Sequence, residues 1–440
     1  MENRAAAIAF GICLALGSGS PAGADVQPGM MLDASTADDA KDLLPPEIYQ
    51  HYKKGEYYNR VIEFPDSSCS WDDGADEATR LNGERLVLSP KREPVDRDTG
   101  TRPDYISGLP FPDIQMNDPE AGYKVIWNLG YAYYIGGNSR NWTTLNWVNR
   151  TGVERSVAED VYALYYDGQP RHYSPATNPE NLLFQFLAIS KSPADVNGTA
   201  TLGYRFKDPG KRDASWAYVP SLRRVRSVSP ANRSDGYLGS DSSQDDGYFF
   251  DGKIEDFTWK VTGHRDGMRL VDSDSVAGKV RRRALPGGGW RTTSFNAGRT
   301  AGFQLPKGEW KGVAWAPVAA GIAKRRFWIV EGIPQDKYYL YGKIELWIDD
   351  TTWQGAWNRK FSWQGELENV FEVMQSATKD FNANERWFGS TLAYLTSENI
   401  ADQRATVLGI DGPGDDPPND RRIPLEPGLF DAQSLARFGK

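Results

Sequence analysis

A chain of 440 residues in which 59 Asp and Glu outweigh 51 Lys and Arg carries a formal net charge of −8, which excludes a general nucleic-acid binder, because such binding needs clustered cations on phosphate. With 15 Trp, 21 Tyr and 18 Phe but three His, the composition suits binding of apolar or ring-shaped molecules better than proton-shuttle chemistry. Of the two cysteines, only Cys69 lies outside the N-terminal leader, so no intrachain disulfide is possible there and a large core must hold the fold.

The chain opens with a basic MENR, an apolar AAAIAFGICLALG and the small-residue triplet Ala22-Gly23-Ala24, which together predict a signal peptide over residues 1–24, cleavage before Asp25 and export to a periplasm-like space. Cys13 follows Phe10-Gly11-Ile12 rather than the small residues of a lipidation site, so the exported chain is expected to be soluble. No other apolar run approaches the roughly 18 residues of a membrane helix.

Residues 25–104 read as a helical and irregular N-terminal region. STADDAKDLL offers Ser35 or Thr36 as a cap, and PPEIYQHYKKG starts at a proline pair and stops at Gly55. Between Asp66 and Arg102 the chain is charged and turn-rich, with one strand in ERLVLSP.

Residues 105–400 read as one antiparallel domain. It begins with NDPEAGYKVIWNLGYAYYIGG, where Asn117 or Asp118 can cap a helix over 118–135 that is apolar over most of its circumference and therefore buried. From Thr143 onward the period is two. Leu202, Tyr204 and Phe206 share a face, as do Trp216 and Tyr218, then Phe257, Trp259 and Val261, and RRFWIVEG and KIELWIDD continue the pattern with Trp328 and Trp347. Residues 401–440, rich in Pro, Gly and Asp, read as an extended tail with no core of its own.

Two stretches carry candidate chemistry. WAYVPSLRRVRSVSP delivers Arg223, Arg224 and Arg226 after a turn at Pro220, either as an anion clamp or as solvated ends or partners of the acidic loop that follows. The acidic loop that follows fails the spacing of an EF-hand, because Ser242, Gln244 and Lys253 fall at ligand places; Asp241, Asp245, Asp246 and Asp251 remain weak candidates for a non-standard metal site against the alternative of a solvated hairpin. No nucleophile elbow, zinc-protease helix, paired C-x-x-C or phosphate loop occurs. A hydrolase would need His172 or His264 to meet acids in the fold, while His51 lies far from both in sequence, and the adjacent Asp349 and Asp350 point to opposite faces of a strand.

The run ASWAYVPSLRRVRSVSP, the acidic loop, GYFFDGKIEDFTWKVTGHRDGM and KRRFWIVEGIPQDKYYLYGKIELWIDDTTWQGAW together resemble the proteobacterial family called domain of unknown function 1329, with ISGLPFPDIQMNDPEAGYKVIWN similar to its Pro-rich lead-in and helix. The likeness covers most of residues 105–375, and W-x-Y-x-P-x-x-R-R-V-R is its most specific part. It implies a fold like that of the periplasmic lipoprotein carriers, a mainly β half-barrel of curved antiparallel sheet with helices over its concave face. It further implies no cofactor, no catalytic residues to carry over, and work beside an inner-membrane exporter of the resistance-nodulation-division type and an outer-membrane protein. Trp127, Tyr204, Trp216, Tyr218, Trp259, Trp328 and Trp347 are then expected to face an apolar cargo, with Arg223, Arg224 and Arg226 at its rim.

Overall fold

Period-two alternation becomes sheet along most of the chain in the computed structural model, which describes residues 26–64, 69–70, 72–229, 232–293, 301–305, 308–310, 312–379, 387–409 and 417–439. The expected signal peptide lies outside them.

Thirteen strands form one antiparallel ladder. In chain order they are β1 (Ser139–Asn149), β2 (Gly152–Tyr165), β3 (Leu182–Ser192), β4 (Ala200–Phe206), β5 (Ala214–Val219), β6 (Arg224–Val228) and β7 (Phe257–Val271), followed by β8 (Gly321–Pro334), β9 (Lys343–Asp349), β10 (Gly355–Phe361), β11 (Leu367–Lys379), β12 (Trp387–Asn399) and β13 (Arg404–Gly409). In space they run β6-β5-β4-β3-β2-β1-β13-β12-β11-β10-β9-β8-β7. The final strand thus closes the gap beside the first. At the far edge Val271 pairs with Gln375, and the Asp272 N–H donates to the Gln375 carbonyl at 2.8 Å, so β7 curls back onto β11. The fold is mainly β, a large curved antiparallel sheet with few helices.

Three layers cover it. On the inner face lies helix α3 of the set α1 (Pro46–Lys53), α2 (Asp73–Arg85) and α3 (Ala121–Ile135). Tyr123, Val125, Ile126, Trp127, Leu129 and Tyr131 of α3 are all buried, as expected of a helix apolar on every side. Gly122 makes the approach possible, because a Cβ there would stand 2.7 Å from the Trp259 carbonyl carbon. Asn128 accepts from the Phe111 N–H at 3.0 Å and donates to its carbonyl at 2.7 Å, fastening the preceding loop to the helix. The helix starts at Ala121 rather than 118, since Asp118 spends its carbonyl on the Ala121 N–H at 3.0 Å and its side chain on the Glu120 N–H at 2.8 Å, forming a turn.

On the opposite face, Tyr52, Tyr57 and Trp315 pack against Phe327, Trp347, Trp357 and Met374 beneath β8 to β12. Farther along that face, residues after 424 cover β2 to β5, with Phe430 and Leu435 fully buried against Leu187, Leu202 and Tyr218. Here the structure departs from the sequence reading, which ended the sheet near residue 400 and left 401–440 as a tail. A segment too polar to build a core can still fill one offered by an aromatic sheet, and β13 pairs on both sides. The region from Asp66 to Arg102 likewise holds α2, capped by Asp72, which accepts from the Ala75 N–H at 2.9 Å.

Candidate functional site

Where α3 arches over β2 to β4 the packing leaves a cavity of about 200 Å³. Ile126, Trp127, Gly130, Tyr133 and Tyr134 of α3 form its roof; Val161, Ala163 and Tyr165 of β2 with Phe184 and Phe186 of β3 form its floor. The rings pack on one another, Tyr134 lying 5.1 Å from Tyr165 and 5.8 Å from Phe184 between centroids, so the apolar end is a tilted aromatic box. Helix α3 therefore lies over the cavity.

One side wall is ionic. Arg205 of β4 grips Asp213 through Nη2 at 2.6 Å and Nε at 3.1 Å, and reaches the Asp251 carboxylate at 3.2 Å and its carbonyl at 2.6 Å. Arg233 donates to Asp245 at 2.6 Å and to the Asp251 carbonyl at 2.8 Å. Burial pushes the Asp251 carboxyl up to about 6, against the pull of Arg205 and Arg233. Burial opposes the Asp213 charge too, but there Arg205 prevails and holds it below the usual carboxylate range.

The acidic loop forms this wall, and neither sequence reading of it describes the result. Asp241 accepts from Arg404 at 2.9 Å, Asp245 from Arg233, Asp246 pairs with Lys360, and Asp251 pairs with Arg205. The loop is a clamp in which these four carboxylates each meet a cation. It is not a solvated hairpin, since Asp245 and Asp246 are buried. Among the described residues no group of three or more His, Cys, Asp or Glu is placed to hold a metal ion.

Of the aromatics expected to face a cargo, the structure brings Trp127 and Tyr204 to the cavity. Tyr204 borders it, yet its hydroxyl donates to the Phe430 carbonyl and its ring meets Trp216 edge-on at 4.9 Å. Trp216 and Tyr218 share a face, as their alternation requires, but it is the face that the C-terminal segment covers. Trp259 is buried beside Phe257 at 5.1 Å, Trp328 stacks on His264 at 4.0 Å, and Trp347 sits on the opposite side of the sheet with Phe327 at 5.9 Å. Arg223, Arg224 and Arg226 are exposed on and beside edge strand β6 and do not border the cavity. Period two assigns residues to faces; it does not say which face holds empty space.

The arginines that do border it are Arg205, Arg233 and Arg421, and Arg205 was hidden between Tyr204 and Phe206 in TLGYRFKD. A polar residue on the inward face of a strand covered on both sides must find a partner, and Asp213, just before the adjoining strand β5, was the available signal. As for the histidines, His264 Nε2 lies 2.8 Å from Asp350 but its ring is stacked on Trp328 away from the cavity. His172 stands on an exposed turn, its ring 4.1 Å from Tyr173. No helix of the described residues is long and apolar enough to cross a membrane.

The family model described as Protein of unknown function (DUF1329) matches residues 31–435, and the chain belongs to that family. An uncharacterized protein of Pseudomonas aeruginosa is 22% identical over 382 residues, spanning 84% of this chain and 74% of its own length. Among solved structures, a DUF1329 family protein from Desulfovibrio piger is 14% identical with a TM-score of 0.47, covering 72% of this chain and 100% of that one. A LolA superfamily protein from Nitrosomonas europaea is 12% identical with a TM-score of 0.38, covering 69% and 95% respectively.

Proposed function

We propose that this member of the DUF1329 family is a non-catalytic periplasmic carrier or chaperone for a lipid, lipoprotein or other hydrophobic cargo moving between the inner and outer membrane. The observation that carries the reading is the aromatic cavity of about 200 Å³ beneath α3. Enclosing an alkyl segment there gains roughly 0.8 kcal/mol per methylene, so a short stretch of chain supplies useful affinity with no bond made or broken. The leader at residues 1–24 supports export, and the family resemblance supports an exporter of the resistance-nodulation-division type as donor or acceptor, with an outer-membrane protein on the other side.

The test is native mass spectrometry with lipid extraction on protein taken from its own periplasm without detergent. A defined apolar species at near-unit stoichiometry supports the carrier and identifies the cargo. An empty protein that also ignores added lipid overturns it.

One observation favours a second reading, an envelope module that docks a partner. Tyr338, Leu340 and Trp363 are 90%, 47% and 46% exposed, and the Trp363 indole donates to the Tyr339 carbonyl at 2.9 Å, which brings two hairpin tips together as an apolar patch. Substituting all three by serine separates the readings: a docking module loses its partner, whereas a carrier keeps its cargo.

A further inference from the structure

Thr143 of β1 and Glu159 of β2 stand directly opposite one another, and both border the cavity. They are 8% and 3% exposed. Both hydrogen bonds to the Glu159 carboxyl fall on Oε1, one from Ser190 Oγ at 3.0 Å and one from the Tyr237 hydroxyl at 3.0 Å. Among the described residues Oε2 has no hydrogen-bond partner, and no Lys, Arg or His pairs with this carboxyl. The Thr143 hydroxyl is buried with no hydrogen-bond partner. An orphaned hydroxyl and a half-used carboxyl, side by side in the wall of an apolar cavity, cost free energy unless something entering the cavity completes them.

The cationic side chains that border the cavity do not compete for that role; Arg421, on the Thr143 side, donates to the Asn141 side chain at 3.0 Å and to the Asp420 carbonyl. Arg205 spends its donors on Asp213, Asp251 and the Gly252 carbonyl, and Arg233 on Asp245 and Asp251. Lys253 donates to the Asp208 and Lys211 carbonyls at 2.9 and 2.6 Å. An anionic head group would find these donors taken and Glu159 unneutralised; a donor group would find an open acceptor.

We propose that the cavity selects a cargo whose apolar body ends in an amine, seated with its nitrogen against Glu159 and Thr143. This names the substrate class of the carrier proposed above and rests on that reading. An ammonium fits the pair, since it donates three hydrogen bonds and brings the counter-charge that the carboxyl lacks. Burial raises the Glu159 carboxyl above its ordinary range, opposed by the hydroxyls of Ser190 and Tyr237, and an adjacent cation favours its ionised form.

The test titrates decylamine, decanol and decanoate, each below its micelle-forming concentration, onto the lipid-stripped exported protein at neutral pH by isothermal calorimetry. Decylamine is expected to bind one equivalent at least about tenfold more tightly than decanoate. Glu159→Gln should bring it down to the level of decanol, with a smaller loss for the near-isosteric Thr143→Val. Ala163→Trp, which fills the floor, should abolish the site and so separates it from surface attraction to an acidic protein. Decanoate binding as well as decylamine, or a preference unmoved in both Glu159→Gln and Thr143→Val, overturns the amine assignment while leaving an apolar carrier standing. Failure of all three probes overturns both. The ranking in the unsubstituted protein decides even where a variant fails to fold.

Discussion

His51 Nε2 meets the Glu398 carboxylate at 2.9 Å across 347 positions of sequence, while Nδ1 of the same ring meets Glu56 at 2.7 Å. Carboxylates only accept, so both ring nitrogens donate and the ring is an imidazolium. Tyr57 stacks on it at 4.5 Å and donates to Glu372 at 2.7 Å. Helix α1 is thereby bolted to β11 and β12 through a buried set of titratable groups.

That set predicts a stability that falls as pH rises. Burial lifts the Glu372 carboxyl from 4.5 to about 8, so the folded chain holds a proton that the unfolded chain has released; the contribution is full below about pH 4.5 and lost as pH climbs to 8. Burial works against the His51 charge, but Glu398 and Glu56 carry it from 6.5 to about 10, so its contribution is full below 6.5 and lost by about 10. Urea unfolding between pH 5 and 9 should give a monotonic decline, and Glu372→Gln should remove its lower part. A rising profile contradicts the assignment.

Breaking the ionic wall should be costly. Arg205→Ala leaves the buried Asp213, with the half-buried Asp251 beside it, without its main counter-charge, and a buried unpaired charge typically costs about 3–5 kcal/mol. Thermal unfolding measures it, and a loss below about 1 kcal/mol would mean that water or Arg233 takes over.

The two faces of β2 to β5 should respond in opposite ways. Ala163→Trp fills the cavity and should weaken uptake of an apolar dye at least tenfold, at a stability cost of about 1–3 kcal/mol. Trp216→Ala acts on the face under the C-terminal segment and should lower stability while leaving dye affinity within about twofold, the ordinary reach of an indirect effect. Loss of uptake in Trp216→Ala would return the cargo to that face.

Phe430→Ala should destabilise by about 3–5 kcal/mol, since the side chain is fully buried among Leu187, Leu202 and Tyr218. Truncation before Phe430 should destabilise the sheet at least as much. A neutral Phe430→Ala, read by urea midpoint, would show that the segment rests on the surface.

Much of this fold can be read from residues alone. Alternation in TLGYRFKD and DASWAYVP predicts strands and face-mates correctly, because a pleated backbone forces period two whatever covers it. The apolar surface over most of 118–135 predicts a buried helix for the same local reason, although the helix begins at Ala121. What failed was non-local. Trp216 and Tyr218 pointed to Phe430 rather than to empty space, and only the path of residues 424–439 decides that. The helix at 73–85 was obscured by Gly74, Gly83 and few apolar residues, although Asp72 was a legible cap. Glu159 and Thr143 carry no motif, and their pairing depends on register between β1 and β2.

The pairing of β13 with β1, in which Asn146 reaches the Val407 carbonyl 261 positions away, has a consequence in time. Every residue between β1 and β12 is made before the strand that completes the middle of the ladder appears, so until then those two strands lack the neighbour that joins them. Folding of the sheet's centre must wait until β13 is made, and a product that ends before it leaves the facing edges of β1 and β12 open to strands of other chains.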